Sequence, residues 1–283
     1  MNAIPVLESI APLVPTTDVW FLDIWGVLHN GVRPFAGCVE ACRAFRQQGG
    51  KVILVSNSPR PRDGVIRQLE QIGVDPEAYD DAITSGDVSR RLIANYAGQP
   101  VWHLGPERDL AIYNGLGVTL AAADVCNAIV CTGLFDDERE TPDDYAAQLS
   151  SLSARGVQMV CVNPDLKVER GGRIIYCAGA LAEAYERMGG PVAYAGKPYA
   201  PIYDAAFARA NELAGQDVPR GRVLAIGDGI GTDIAGAAAA GIRSVYVASP
   251  VALRHGVSLA EASEELFSSL PVKPVAMMRA LTW

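Results

Sequence analysis

The sequence predicts an α/β protein whose strands form parallel sheets. Short apolar runs such as VWFLD, KVILVSN and RVLAIGD alternate along the chain with segments of helical periodicity. The runs are rich in Val, Ile and Leu with little polar alternation, as expected for strands that are buried on both faces of a parallel sheet. Of the 283 residues, 49% are hydrophobic and 20% are charged. This composition is typical of a globular chain with a sizeable core.

The first four elements are predicted as strand, helix, strand and helix. The first strand ends at Asp23 and the second ends at Ser56. Each helix shows one apolar stripe at i, i+4 and i+7 spacing that would face the core. The stripe residues are Cys38, Cys42 and Phe45 in the first helix and Val65, Leu69 and Ile72 in the second. Gly49 and Gly73 follow the two helices, where a left-handed residue would end them.

The remaining apolar runs continue the alternation and are too many for one sheet. They cover residues 83–85, 100–105, 127–133, 157–163, 191–196, 222–228 and 243–249. Because single hydrophobic cores stop growing at roughly 250 to 300 residues, two α/β layers are the economical arrangement. The polar strand ends that could carry chemistry occur early and late in the chain. We therefore predict a core domain formed by residues 1–83 plus 191–283, with an inserted α/β domain at residues 84–190.

Charge and targeting signals narrow the classes of partner. The chain has 24 basic and 32 acidic residues, a net charge of −8, and no run of Lys or Arg. This balance disfavours nucleic acid and anionic membranes as partners. The N-terminal segment does not have the pattern of a secretory signal, and no stretch of about 18 apolar residues suggests a membrane span. Six cysteines without a CxxC pair indicate small buried side chains and predict a cytoplasmic protein. The oligomeric state is left open, with a homodimer as one option.

Four polar residues lie at or just after the ends of predicted strands. They are Asp23, Ser56, Lys197 and Asp228. In an open parallel α/β sheet, the carboxyl ends of the strands line one crevice where ligands bind. A carboxylate, a hydroxyl, an amine and a second carboxylate are the groups that phosphoryl transfer through an aspartyl intermediate requires. The predicted edge of the sheet therefore suits phosphoryl-transfer chemistry.

Four motifs in the chain resemble those of the haloacid dehalogenase (HAD) superfamily. FLDIWGVLHNG, VILVSNS, AGKP and IGDGIGTDIAGA occur in the order of that family's motifs. The long α/β insertion between the second and third motifs is similar to the cap of class IIA, the NagD-like phosphatases. The resemblance covers nearly the whole chain. It implies a HAD-like fold, with a Rossmann-like parallel-sheet core and an inserted cap, and a magnesium-dependent hydrolase of a small phosphorylated metabolite.

The resemblance also implies a nucleophile and a metal site. Asp23 matches the nucleophile that attacks phosphorus and forms an acyl phosphate, which water then hydrolyses. Mg²⁺ would be bound by Asp23, by the main-chain carbonyl of Trp25 and by Asp228, an all-oxygen set that suits this hard ion. Asp233 matches a further metal ligand that acts directly or through water. It is also placed to cap the helix that follows, and both roles can coexist.

The substrate-binding residues follow from the second and third motifs. By resemblance, Ser56 donates its hydroxyl to the phosphoryl group and Asn57 follows it in the binding turn. Lys197 matches the base that neutralises charge between the phosphate and the nucleophile. Each of these residues alone would be unremarkable, a turn serine or a surface lysine, so the assignment rests on the four motifs together.

The inserted domain carries fewer readable signals. In NPDLKVERGG, Asn163, Asp165 and Lys167 lie where a predicted strand passes into a loop, and they resemble the substrate-facing loop of related caps. A polar turn without a ligand explains the same residues equally well. The acidic run at 136–140 is typical of a solvated loop. These residues do not identify a substrate.

One position departs from the family pattern. HAD phosphatases usually have a second Asp two residues after the nucleophile, which acts as the general acid, and this chain has Trp25 there. An indole cannot deliver or accept that proton near neutral pH. Three explanations stay open: substrates whose leaving groups need no proton, another donor such as His29, or a catalytically impaired protein that binds phospho-ligands.

A carbon–halogen hydrolase is a fourth explanation. Haloacid dehalogenases also have an aromatic residue two positions after the nucleophile. The acids Asp228 and Asp233 favour a phosphatase, because they suit Mg²⁺ and a dehalogenase needs no metal.

Overall fold

The computed structural model describes residues 4–170, 173–248 and 259–283. The strands in these ranges are β1 (Val19–Leu22), β2 (Lys51–Ser56), β3 (Asp81–Thr84), β4 (Pro100–Leu104), β5 (Thr119–Leu120), β6 (Ala128–Cys131), β7 (Gln158–Cys161), β8 (Lys167–Arg170), β9 (Arg173–Tyr176), β10 (Val192–Tyr194), β11 (Val223–Gly227), β12 (Arg243–Val247) and β13 (Ala276–Met278). The helices are α1 (Ala36–Gln47), α2 (Arg62–Gln71), α3 (Ser85–Ala94), α4 (Ala146–Ala154), α5 (Ala178–Arg187), α6 (Ala200–Ala214), α7 (Ala235–Ala239) and α8 (Leu259–Leu266).

The chain folds into two compact units. The first unit comprises Met1–Ser56, Ile66–Ile83 and Tyr203–Trp283, and the second comprises Asn57–Val65 and Thr84–Ile202. The predicted division into residues 1–83 plus 191–283 and residues 84–190 differs from these units at two short segments, and it stays a prediction.

A six-stranded sheet forms the centre of the first unit. Its strand order is β13-β12-β11-β1-β2-β3. The pairings from β13 through to β2 are parallel. The four residues of β1 are all buried, as expected for a strand in the middle of a covered sheet. The carboxyl ends of β11, β1 and β2 are therefore neighbours, and the predicted parallel α/β fold is confirmed.

Helix α1 covers one face of this sheet through its predicted stripe. Cys38, Cys42 and Phe45 are all buried. The ring of Phe45 stacks on Trp20 of β1, with centroids 4.1 Å apart. Gly49 ends the helix with a φ of +91°, a conformation that costs glycine little. The sequence pattern of this helix and its packing agree.

A second parallel sheet forms the centre of the second unit. Its strand order is β10-β7-β6-β4-β5, and its four pairings are parallel. One core cluster includes Leu149 of α4 and Leu181 of α5, packed with buried residues of the sheet. Another contains Ile93 of α3. Strands β8 and β9 form a separate antiparallel pair.

Several predicted strands need correction. The run predicted at 83–85 is the strand Asp81–Thr84, and Ser85 begins α3 instead. The reason is that the Thr84 side chain accepts a hydrogen bond from the N–H of Asp87 at 3.0 Å and so caps the helix. Strands β5, β8, β9 and β13 were not predicted.

All six cysteines are buried, as the sequence predicted. None of the helices in the described ranges is long and apolar enough to cross a membrane.

Candidate active site

Three carboxylates cluster in the first unit. Asp23 directly follows β1, Asp228 directly follows β11, and Asp233 lies five residues further along. One oxygen from each of the three lies within 4.8 Å of the others. Asp23 and Asp233 are buried, with 8% and 6% of their surfaces exposed. The structure thus brings together the three acidic side chains that the sequence predicted for a metal site.

Glycines allow this close approach. A Cβ at Gly26 would lie 2.2 Å from Oδ2 of Asp228, and a Cβ at Gly227 would lie 2.1 Å from Cγ of Asp233. Gly26 also has a φ of +87°, a left-handed conformation that favours glycine. No side chain fits at either position without moving a carboxylate. Neither glycine was predicted from the sequence to belong to the site, although both lie inside the motifs.

The predicted helix-capping role of Asp233 is wrong. Asp233 lies inside a π-helical turn at Ile230–Ile234 that precedes α7, not at the position before the helix. Its Oδ2 accepts the N–H of Gly229 at 3.0 Å, and its own N–H donates to the carbonyl of Gly229 at 2.8 Å. The carboxylate is therefore fixed by the turn that carries it.

Trp25 lies in a compact loop that follows β1. The N–H of Gly26 donates to the carbonyl of His29 at 2.9 Å. The indole packs against Gly31, where a Cβ would lie 2.5 Å from a ring carbon. The His29 imidazole lies edge-on to the indole, with 5.3 Å between centroids. Trp25 is thus fixed by packing two residues after Asp23.

His29 is a poor candidate for the missing proton donor. Burial lowers the pKa of its imidazole to about 4. Its Nδ1 accepts the N–H of Gly31 at 2.8 Å. The ring is therefore neutral near pH 7 and supports the loop.

In the second unit, Asn57 bonds to two other predicted site residues. Its Nδ2 donates to Oδ1 of Asp165 at 2.8 Å and to the carbonyl of Lys197 at 3.1 Å. Its Oδ1 accepts the N–H of Lys197 at 2.7 Å. Asn57 and Lys197 are buried, with 5% and 3% exposure. Ser56, the residue before Asn57, is the last residue of β2 in the first unit and is also buried.

Asn163 has a local structural role in the second unit. Its Oδ1 accepts the N–H of Asp165 at 3.1 Å, which closes a turn after β7. This turn presents the Asp165 carboxylate to Asn57. The predicted pair Asn163 and Asp165 is thus connected to Lys197 through Asn57.

The acidic run at 136–140 is more ordered than a solvated loop. Asp137 accepts a hydrogen bond from Arg108 and another, at 2.7 Å, from Arg170. Only 12% of the Asp137 side chain is exposed. This network was not predicted from the sequence, because the two arginines are 29 and 33 residues away from Asp137 along the chain.

Comparisons with known proteins agree with this architecture. A family profile described as haloacid dehalogenase-like hydrolase matches residues 20–119, and a HAD-hydrolase-like profile matches residues 194–270. A crystal structure of a hydrolase of the haloacid dehalogenase-like family from Brucella suis 1330 is 42% identical in sequence. It aligns over 98% of this chain and 100% of that chain, with a TM-score of 0.87.

Two further relatives are more distant. The 4-nitrophenylphosphatase of Schizosaccharomyces pombe is 25% identical over 242 residues, which are 77% of this chain and 78% of the relative. The structure of NagD from E. coli K-12 has the same fold. It is 22% identical, covers 94% of this chain and 97% of NagD, and has a TM-score of 0.66.

Proposed function

The chain belongs to the haloacid dehalogenase-like hydrolase family, and within it we propose a magnesium-dependent phosphatase that acts on a small phosphorylated metabolite through an aspartyl-phosphate intermediate. The observation that carries this proposal is the carboxylate cluster of Asp23, Asp228 and Asp233. The similarity to a 4-nitrophenylphosphatase supports the reaction class. NagD-like relatives share the fold.

The cluster fits a hard divalent cation. Three carboxylates at this separation repel one another, and two of them are largely removed from water. A cation compensates both effects, and oxygen donors are what Mg²⁺ prefers. We propose Asp23, Asp228, Asp233 and the main-chain carbonyl of Trp25 as its ligands. When bound, Mg²⁺ would screen the repulsion between the nucleophile and an anionic phosphate.

Asp23, Ser56 and Lys197 would then each have one role in the reaction. The Asp23 carboxylate attacks phosphorus, a bond to the carboxylate oxygen forms, and the bond to the leaving oxygen breaks. Ser56 donates a hydrogen bond to the phosphoryl group, and Lys197 neutralises its charge. Water then hydrolyses the acyl phosphate and regenerates Asp23. Asn163 and Asp165, which were predicted from the sequence to bind the substrate, have no part in these steps.

Leaving-group protonation is the step with no evident donor among these residues. Trp25 occupies the position of the usual acid, and His29 has a pKa of about 4. We therefore propose substrates such as acyl or aryl phosphates, whose leaving groups depart without a proton.

The alternative of a metal-free carbon–halogen hydrolase has less support. Such an enzyme would not need a cluster of three carboxylates. Without a cation, the negative charge of the cluster would repel the carboxylate of a haloacid substrate and so hinder its approach to the nucleophile. A catalytically impaired phospho-ligand-binding protein is the other alternative. Assays of phosphate-ester hydrolysis and of halide release distinguish both from a phosphatase.

The test is hydrolysis of p-nitrophenyl phosphate with purified protein. We expect activity that requires Mg²⁺ and that falls at least ~10³-fold in Asp23→Asn, because the amide is not a nucleophile. Asp63→Asn is the matched control, since its carboxylate is exposed and pairs only weakly at the surface. Full activity in EDTA would contradict the proposal. Halide release from 2-haloacids would favour the dehalogenase, and phosphate binding without turnover would favour the impaired protein.

A further inference from the structure

Both hydrogens of the Asn57 side-chain amide are used within the protein. Its Nδ2 group has two hydrogens, and these go to the Asp165 carboxylate and to the Lys197 carbonyl. Its oxygen accepts the N–H of Lys197. Because the side chain is buried, it has little surface left for a ligand. Asn57 is therefore better suited to hold another residue than to contact a substrate.

The two bonds to Lys197 hold its main chain as a neighbouring strand would. One amide group receives the N–H and donates to the C=O of the same residue, at 2.7 and 3.1 Å. This pairing fixes the peptide planes on both sides of the Lys197 Cα. The start of the lysine side chain is then fixed as well, and the residue is buried.

Gly196, the residue before Lys197, allows the Asn57 side chain to lie close to the main chain of Lys197. A Cβ at Gly196 would lie 2.5 Å from Oδ1 of Asn57 and 2.8 Å from Oγ of Ser85. Ser85 is itself fixed, because its hydroxyl donates to the carbonyl of Val162. The glycine of the AGKP motif thus leaves space for the asparagine.

Asp165 determines which way the Asn57 amide faces. An amide can rotate by about 180° and exchange its oxygen and nitrogen, which would place its NH₂ group against the N–H of Lys197. A carboxylate only accepts hydrogen bonds, so Asp165 binds the NH₂ side and leaves Oδ1 toward Lys197. The Asp165 carboxylate is oriented in turn by the turn that Asn163 closes.

We propose that Asn57 and Asp165 are positioning residues, which fix the main chain of Lys197 through the relay Asp165–Asn57–Lys197, rather than ligands of the substrate. The inference rests on the proposed catalytic role of Lys197. It assigns the loop after β7 the task of holding the lysine in place, whatever substrate the enzyme takes.

A double-mutant cycle tests the relay. We expect Asn57→Ala to lower kcat for p-nitrophenyl phosphate by about 10- to 100-fold with a smaller change in KM, because a misplaced charge weakens transition-state stabilisation more than binding. Asp165→Ala should have a similar effect, and the double variant should be no worse than Asn57→Ala, since both act through one contact. Asp165→Asn, which keeps an acceptor oxygen, should recover part of the loss.

Asn211→Ala is the matched control. The Asn211 amide likewise joins a backbone N–H, that of Val218, to an aspartate, Asp217, but has no link to Lys197. It should keep the activity of the unmodified enzyme. Normal kcat in Asn57→Ala, or losses that multiply in the double variant, would overturn the relay.

An activity-independent measurement separates the relay from the proposed function. The chain has four lysines, so ¹⁵N-lysine labelling gives four backbone amide signals. Hydrogen exchange of the Lys197 amide should accelerate at least ~10-fold in Asn57→Ala, with Lys51 unchanged, because Lys197 loses its acceptor. If Asn57→Ala disturbs folding, the same measurement on Asp165→Ala tests the relay, because that change removes the carboxylate that orients the Asn57 amide; unchanged exchange there would also overturn the relay. Unchanged exchange in Asn57→Ala overturns the relay even in an active phosphatase. Accelerated exchange in a protein without phosphatase activity supports the relay and refutes the function.

Discussion

At the scale of single residues, the proposed choice of substrates depends on Trp25. The indole is packed against Gly31 and edge-on to His29, and it occupies the position of the usual acid. A general acid contributes roughly 10²- to 10⁴-fold to rates when the leaving group needs a proton. Its absence matters most for alkyl phosphates.

Replacing Trp25 should therefore change the dependence of the rate on the leaving group. We expect Trp25→Asp to raise kcat/KM for alkyl phosphates by about 10²-fold and to change it little for p-nitrophenyl phosphate. The measurement is kcat/KM across phosphate esters of graded leaving-group pKa, which should show a steep dependence in the unmodified enzyme and a shallow one in the variant. Trp25→Phe, which keeps an aromatic ring, should keep the steep dependence. An equal change for all esters would mean that Trp25 serves packing alone.

The sequence correctly predicted which polar residues lie at the ends of the core strands. Asp23, Ser56 and Asp228 lie where the apolar runs end, because the end of a parallel strand is set by local hydrophobicity. It did not predict the π-helical turn that carries Asp233, nor the hydrogen bonds of the Asn57 amide to Asp165 and Lys197. Both depend on contacts that no local pattern encodes.

At the scale of elements, the loop after β1 is shaped by glycine. Gly26→Ala should lower the free energy of unfolding by about 1 to 2 kcal/mol, because φ is +87°. It should also weaken Mg²⁺ binding. The new Cβ would lie 2.2 Å from Oδ2 of Asp228, so the carboxylate would have to move away. Gly49→Ala is the control, with a φ of +91° and no atom within 4 Å of the new Cβ. Urea unfolding should show similar losses, whereas Mg²⁺ titration of activity should differ only for Gly26→Ala. Equal Mg²⁺ affinity in both would contradict this account.

An ionic contact joins strand β8 to Asp137. Arg170 of β8 and Arg108 both bind Asp137. Burial alone would raise the pKa of Asp137, but the hydrogen bonds from Arg170 and Arg108 hold it below its usual value. A lowered folded-state pKa means that this carboxylate stabilises the fold above its unfolded pKa. The contribution is lost as the pH falls through the folded pKa.

Asp137→Asn should thus lower the free energy of unfolding by about 1 to 2 kcal/mol at pH 7, and the difference should shrink in acid. Urea unfolding at a series of pH values measures both effects. Glu183→Gln removes an exposed pair with Arg187 on α5 and should change stability by less than about 0.5 kcal/mol. A loss that is independent of pH would show that the charge of Asp137 is not responsible.

The elements that the sequence predicted are those that carry a long pattern of their own. Strands β1, β2 and β11 were predicted from buried runs, and α1 from its stripe. Strand β5 has two residues and β13 has three, too few for a period to be visible. Such strands form because a neighbouring strand offers backbone hydrogen bonds, as β12 does for β13.

At the scale of the whole molecule, the proposed metal site would link metal binding to stability. The chain has a net charge of −8, so excess negative charge already opposes folding. The cluster adds three carboxylates within 4.8 Å of one another. A cation that binds only the folded state stabilises it by about 2.7 kcal/mol at 100 times its Kd.

Removing one carboxylate should therefore have opposite effects with and without metal. In EDTA, we expect Asp228→Asn to raise the melting temperature by about 2 to 4 °C, because roughly 1 kcal/mol of repulsion is relieved. With saturating Mg²⁺, the unmodified protein should melt several degrees higher than in EDTA, whereas the variant should show little gain. Asp63→Asn, whose carboxylate is exposed, should keep the full metal-dependent shift. Differential scanning calorimetry with Mg²⁺, with Ca²⁺ and in EDTA measures these shifts. A variant that melts lower than the unmodified protein in EDTA would contradict the repulsion, and a variant that keeps the full Mg²⁺-dependent shift would contradict Asp228 as a metal ligand.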